Sequence, residues 1–247
     1  MVNKPRLYCR TCNKEFDHLD PVWRCSCGGL LDLDFQVEFP LTAIRERPAS
    51  LWRYREAIPV LNDKCIVTYD EGFTPLLPLT LYRKKVLVKQ DHLFPTGSYK
   101  DRGASILISK LKEIGVREIV EDSSGNAGAS IAAYAARGGI KCTIFVPKGT
   151  ARSKKEQVKL YGASIDDSSP DRVVAAKRAL EKARQTYYAS HCWNPYFFQG
   201  TKTFIFEIWE QMGYRLPDTL LLPVGNGSLL IGVYIGCQDL LKAGLID

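Results

Sequence analysis

From about residue 84 onward the chain alternates short β-branched runs with segments of helical periodicity, and the alternation does not break. Strands separated by helices must pair in parallel, because each crossover has to travel back along the sheet. The pattern predicts strands at 85–89, 117–122, 141–146, 187–190 and 219–224. It predicts helices at 101–114, 126–137, 152–161, 171–185, 197–212 and 228–242. Ala104, Leu107, Ile108, Leu111 and Ile114 mark the buried stripe of the first helix, and Phe204, Ile208 and Met212 that of the long one. The expected fold class is therefore α/β, with doubly wound open sheets. Ligands in such sheets bind where strands run out into helices, so the strand-to-helix loops carry the chemistry.

Composition removes several alternatives. The 247 residues are 45% hydrophobic and 25% charged, enough for a large core and too apolar for a disordered chain. No uninterrupted apolar stretch approaches the ~18 residues of a membrane span. The opening residues lack the apolar run of a secretory signal, which sets the expectation of a cytoplasmic protein without a membrane partner. The net charge of +7 is spread thinly and suits phosphates or carboxylates as well as nucleic acid. Residues 1–40 hold five Lys/Arg against six Asp/Glu, a poor surface for a phosphate backbone, so no nucleic-acid partner is expected.

Three loops stand out. The first is Pro95-Thr96-Gly97-Ser98-Tyr99-Lys100-Asp101-Arg102-Gly103, with Lys100 at the start of a helix. The helix dipole opposes a positive charge there, and one use of that opposition is to free the amine for a Schiff base; a solvated lysine is the plainer alternative. The second is Ser123-Ser124-Gly125-Asn126-Ala127-Gly128, whose small residues admit a flat ring close to the backbone. Asn126 there offers both an amide donor and an acceptor, or else serves as a helix cap. The third, Val224-Gly225-Asn226-Gly227-Ser228, precedes a helix and aims several backbone amides at one point, as a phosphate cradle requires. It follows neither the Walker nor the dinucleotide spacing. A reactive amine, an amide for a ring hydroxyl and a phosphate cup are together what pyridoxal 5'-phosphate needs.

These motifs, in this order and spacing, resemble the β-family (fold type II) pyridoxal-phosphate enzymes, and within them the threonine synthase family, over nearly the whole chain. The resemblance implies a lyase of amino-acid biosynthesis that takes a small amino-acid substrate, O-phosphohomoserine, and with water yields threonine and phosphate. It implies that Lys100 forms the Schiff base and shuttles protons, and that Asn126 meets the ring hydroxyl. Gly225, Asn226, Gly227, Ser228 and Leu229 would hold the cofactor phosphate, while Thr96, Ser98, Ser123, Ser124 and Lys154 would meet the substrate.

The first 38 residues differ in character. Cys9, Cys12, Cys25 and Cys27 form a CxxC…CxC set close to zinc-ribbon spacing, so a closed structural zinc site is expected. Threonine synthase-like proteins often begin in a similar way. The expected organisation is a zinc-ribbon-like segment at 1–38 and a cofactor-binding region at 39–247, with the smaller subdomain within 85–190. Cys65, Cys142, Cys192 and Cys237 read as buried, reduced thiols, and His18, His92 and His191 as ordinary surface or core histidines.

Two features depart from the family. Phe197 stands where an arginine is expected to bind substrate phosphate, which favours β-elimination or dehydration as the alternative reaction. The family also runs on past Asp247, so a truncated, catalytically silent protein is a second alternative. An unfinished sheet edge would need covering, for instance by a homodimer partner.

Overall fold

In the computed structural model, which describes residues 4–247, the amino-terminal segment is built before the parallel sheet begins. Residues 1–3 of the segment assigned to the ribbon lie outside the described residues. Strands β1 (Arg6–Cys9), β2 (Glu15–Phe16) and β3 (Leu31–Asp34) form an antiparallel sheet in the order β2-β1-β3. Leu7, Phe16 and Leu33 of this sheet, with Val22 and Trp23 from the loop between β2 and β3, pack onto the main core. A short helix α1 (Leu41–Glu46) and 3-10 turns at Leu51–Ala57 and Asp63–Cys65 bridge to the remainder.

The strand expected at 85–89 exists, but it does not open the parallel sheet. β4 (Leu76–Leu81) and β5 (Lys84–Lys89) form a separate antiparallel hairpin. Its two-residue turn is Tyr82-Arg83, both at positive φ, the geometry that normally selects Asn-Gly. Without that signature the turn is silent in the sequence.

The parallel sheet follows. Its strands β6 (Glu118–Glu121), β7 (Lys141–Pro147), β8 (Ser164–Ser169) and β9 (Tyr187–Tyr188) stand in the order β8-β7-β6-β9. Helices α2 (Lys100–Glu113), α3 (Asn126–Gly138) and α4 (Arg152–Leu160) contribute to the core on one face with Ile119 and Ile144. α5 (Arg172–Lys182) covers Val120, Phe145 and Tyr188 on the other. Neighbouring strand residues thus point to opposite layers, as the period of two demands. β8 was not expected: its sequence, SIDDSS, carries one apolar residue, which suffices for an edge strand.

Two further expectations are corrected. The single helix at 197–212 is two, α6 (Pro195–Thr201) and α7 (Thr203–Gln211). At Lys202 the ladder tightens, with the Ile205 N–H donating to the Lys202 carbonyl, because the buried Lys202 ammonium is drawn onto Asp239 at 2.7 Å. The run 219–224 is apolar but is not a strand; no strand among the described residues pairs with it, and Leu221 is 92% exposed. Helix α8 (Ser228–Lys242) closes the chain against α6 and α7. No helix among the described residues is long and apolar enough to cross a membrane.

Candidate active site

The lysine loop is pinned by the two residues that follow Lys100. Asp101 is buried and accepts from the Thr96 N–H at 2.8 Å, the Thr96 hydroxyl at 2.5 Å and Ser130 at 2.6 Å. Arg102, fully buried, spans Asp91 and Glu207 with two bonds to each, and Lys89 joins Glu207 at 2.7 Å. Burial alone would raise the Glu207 carboxyl, but Arg102 and Lys89 hold it down at about 2. Gly103 completes the motif for a packing reason: an added Cβ would sit 2.4 Å from the Phe197 ring. Phe197 is therefore part of the wall behind the lysine helix, fully buried and with no side-chain charge to offer a phosphate. Phe94 caps the same cluster, its ring 4.8 Å from the Arg102 guanidinium.

Burial pushes Asp101 up to about 6 against the hydrogen bonds from Ser130 and Thr96. The sign of the linked stability follows. Unfolded, this carboxyl has its ordinary value of 3.8, so the native chain holds the proton more tightly. Its contribution is complete below that value and is lost as pH rises through about 6. The stability of the wild type minus that of Asp101→Asn should fall across this window, read from urea midpoints at successive pH values. A difference that grows with pH would contradict the assignment.

Lys100 itself is 8% exposed. Its Nζ donates to Ser228 Oγ at 2.7 Å and Asn226 Oδ1 at 3.2 Å, and lies 4.6 Å from the Tyr99 ring centre. The lysine loop and the glycine turn thus meet, although they are far apart in sequence. Other buried ammonium groups have carboxylates: Lys89 has Glu207, Lys110 has Glu113 and Lys202 has Asp239. Lys100 forms no ion pair among the described residues. An amine desolvated at this cost for neutral partners alone is poorly explained by stability.

The turn before α8 is open. Gly227 has φ +84°, and a Cβ at Gly225 or Gly227 would meet nothing within 4 Å. Gly227 caps α8 without a side-chain bond, and Ser228 N–H donates only to Asn226 Oδ1, at 3.2 Å. Backbone donors at a helix start beside open space fit a phosphate. Leu229, the second residue of α8, is buried in the hydrophobic cluster behind it.

The second loop is placed at the carboxyl end of β6. Its helix cap is Gly125, so the capping role considered for Asn126 is not the one it plays. Asn126 is exposed at the first position of α3, and its Oδ1 accepts from Lys154 Nζ at 3.5 Å. No Cβ contact exists at Gly125, leaving that side clear for a flat group. Ser123 Oγ accepts from Gly125 N–H at 3.3 Å and Ser98 Oγ from Lys100 N–H at 3.2 Å, so both hydroxyl protons remain free to donate. Ser124 is half-buried beside Ser123. The Thr96 hydroxyl, by contrast, is engaged by Asp101. A cleft of about 280 Å³ adjoins the start of the lysine loop, lined by residues 69–75 and 93–95, but Lys100 does not line it.

In the ribbon, Cys9 Sγ lies 3.5 Å from Cys27 Sγ and Cys12 Sγ 3.6 Å from Cys25 Sγ, all four within 4.8 Å of one another. Four thiolates at ~2.3 Å from a tetrahedral zinc would be about 3.8 Å apart, so the set fits the ion. The Thr11 and Gly29 N–H groups donate to Cys9 and Cys27 sulfur, each at 3.4 Å. Backbone donation from Cys12 draws Cys9 down to about 6; Gly29 would lower Cys27, but the neighbouring thiols push it up to about 12.

Sequence reasoning missed one group. Cys192 is exposed rather than buried, and Cys65 and Cys237 are half-buried; Cys142 is buried as expected. His191 is a core residue, as expected, but one paired with a carboxyl group. Burial opposes its charge, yet Glu121 at 2.6 Å and Cys192 raise it to about 10. The alternating pattern had placed Glu121 in a strand with no hint of a basic partner 70 residues away.

Known proteins bear on this geometry. Residues 67–245 match the family described as pyridoxal-phosphate dependent enzyme. Threonine synthase of Methanocaldococcus jannaschii is 34% identical over 97% of this chain and 62% of its own length. That of Methanosarcina acetivorans is 32% identical over 98% of this chain and 62% of its own. The chain thus spans about three fifths of these relatives. Among solved structures, a fungal L-serine ammonia-lyase from Rhizomucor miehei superposes with a TM-score of 0.62 at 26% identity, covering 69% of this chain and 56% of that one. With the fold type II α/β architecture and a buried, carboxylate-free lysine facing an open glycine turn, the match has a physical counterpart: this chain belongs to the pyridoxal-phosphate dependent enzymes.

Proposed function

We propose that the chain is the cofactor-binding part of a threonine synthase-like lyase, acting on O-phosphohomoserine and water to give threonine and phosphate. The observation that carries this reading is Lys100 Nζ held between Ser228 and Asn226, with no carboxylate among the described residues beside it. Pyridoxal phosphate, when bound, supplies an aldehyde that condenses with amines and a ring that stores carbanion charge. Lys100 provides the amine and afterwards moves protons at the substrate Cα and Cβ. The amides of Gly225, Asn226, Gly227, Ser228 and Leu229 receive the cofactor phosphate, and Asn126 orients the ring through its hydroxyl. Ser98, Ser123 and Ser124 donate to the substrate carboxylate, with Lys154 adding positive charge at the mouth. Thr96 serves the site by fixing Asp101 and hence the helix start. The four ribbon cysteines hold one structural zinc in a module at 1–38, and 39–247 forms the catalytic region, its smaller subdomain within 85–190. Cytoplasmic location and assembly as a homodimer belong to the same reading.

A second reaction, β-elimination from serine or threonine, is favoured by one observation, the buried Phe197 in place of a phosphate-binding arginine. Supplying the purified chain with pyridoxal phosphate and each substrate separates the readings. Threonine and inorganic phosphate from O-phosphohomoserine support the synthase. Ammonia and a 2-oxo acid from serine, without phosphate release, support elimination. Cofactor retained with no turnover of any substrate would mean a silent binding fold.

A further inference from the structure

Beside the glycine turn lies a group that the proposed reaction does not use. Cys192 is solvent-exposed, with its Sγ 3.3 Å from His191 Nε2 and 3.2 Å from Asn226 Nδ2. His191 is buried and presents Nδ1 to Glu121 Oε1 at 2.6 Å. Glu121 is fully buried, and among the described residues it has no Lys or Arg partner and its Oε2 no hydrogen-bond partner. His191 is thus the basic group that faces the buried Glu121 carboxyl, whose own titration burial pushes up and His191 draws down. With Nδ1–H committed to Glu121, the Nε2–H faces sulfur.

We propose that Cys192 is a modification site: a nucleophilic thiol, activated by the His191–Glu121 pair, that reacts with hydroperoxides and soft electrophiles at the edge of the cofactor turn. His191 and Asn226 lower the thiol against the effect of its partial burial. The groups facing the pair are Glu121 at the end of β6, Asp122 just after it, Cys142 from β7, Asn226 from the turn and the Phe197 ring from α6, 6.0 Å from His191. Asp122 is occupied by the Tyr188 hydroxyl. With hydrogen peroxide, the sulfur anion attacks one oxygen and the O–O bond breaks. Sulfur is oxidised to the sulfenic acid, and the departing hydroxide takes the Nε2 proton and leaves as water. Asn226 reports the change, since its amide donates to Cys192 while its carbonyl accepts from Lys100.

The test reads labelling rather than turnover, so its outcome is independent of the proposed reaction. The full chain is given limiting iodoacetamide and the labelled peptides are resolved by mass. Cys192 should be alkylated about tenfold faster than the half-buried Cys65 and Cys237. Between pH 6 and 8 its rate should climb less steeply than that of free cysteine, which gains nearly tenfold per unit below its titration. His191→Gln should cost about tenfold in rate and restore the steep profile. Hydrogen peroxide followed by dimedone should mark Cys192 and leave Cys192→Ser unmarked at this peptide. A wild-type pH profile matching free cysteine, or absence of the dimedone adduct, overturns the proposal even where the histidine variant fails to fold.

Discussion

Lys100→Ala should reduce borohydride-fixed pyridoxal phosphate from about one per chain to background, measured on the intact protein by mass. Covalent fixation needs an uncharged amine within reach of the aldehyde, and the other buried lysines are held by carboxylates. Lys89, Lys110 and Lys202 each lie within 2.7 Å of a Glu or Asp oxygen. Lys100 has only the hydroxyl of Ser228 and the amide of Asn226 to leave behind. Exchanging neutral hydrogen bonds for a covalent link costs about 0.5–1.5 kcal/mol for each bond, whereas breaking a buried ion pair costs about 3–5 kcal/mol. Fixation that persists in the variant at full stoichiometry would move the reactive amine elsewhere. Retention of noncovalent cofactor by the variant would still be consistent with an intact phosphate turn.

Arg102→Ala should destabilise the fold by about 3–5 kcal/mol, read from the guanidinium midpoint. The guanidinium bridges Asp91 and Glu207 with no exposed surface of its own. Removing it leaves Glu207 with Lys89 alone and Asp91 with Thr74 alone as side-chain partners. Because these contacts fix the helix that begins at Lys100, cofactor affinity should weaken together with stability. A loss below about 1 kcal/mol would mean that water or rearranged side chains replace the guanidinium.

How much of this was legible beforehand depends on what kind of signal each element carries. The central strands and their helices are visible because β-branched runs and 3.6-residue stripes are local properties. β8 escaped because an edge strand needs little apolar surface. The hairpin escaped because Tyr82-Arg83 adopts a turn that Asn-Gly would have announced. The run at 219–224 misled for the opposite reason: strand character lies in the residues, but pairing lies in a neighbour. At the site, the lysine loop and glycine turn could be named from their residues, and the four-cysteine set from its spacing. The Cys192–His191–Glu121 chain could not, since it joins the carboxyl end of β6 to a loop that follows β9. Only parallel pairing of those strands brings them together.

The seam between the ribbon and the parallel sheet has a thermodynamic consequence. Val22 accepts from the Tyr187 hydroxyl, Trp23 packs edge-on against Tyr188 at 5.0 Å, and Arg24 lies 4.3 Å over the Trp193 ring. Three successive residues of the four-cysteine lobe are thereby fastened to the last strand and to the segment bearing His191. Heat absorbed on melting one lobe is drawn from contacts owned jointly with the other, so calorimetry should register a single cooperative peak. Loosening the four-cysteine lobe would then be felt at the far lobe through these shared aromatic contacts.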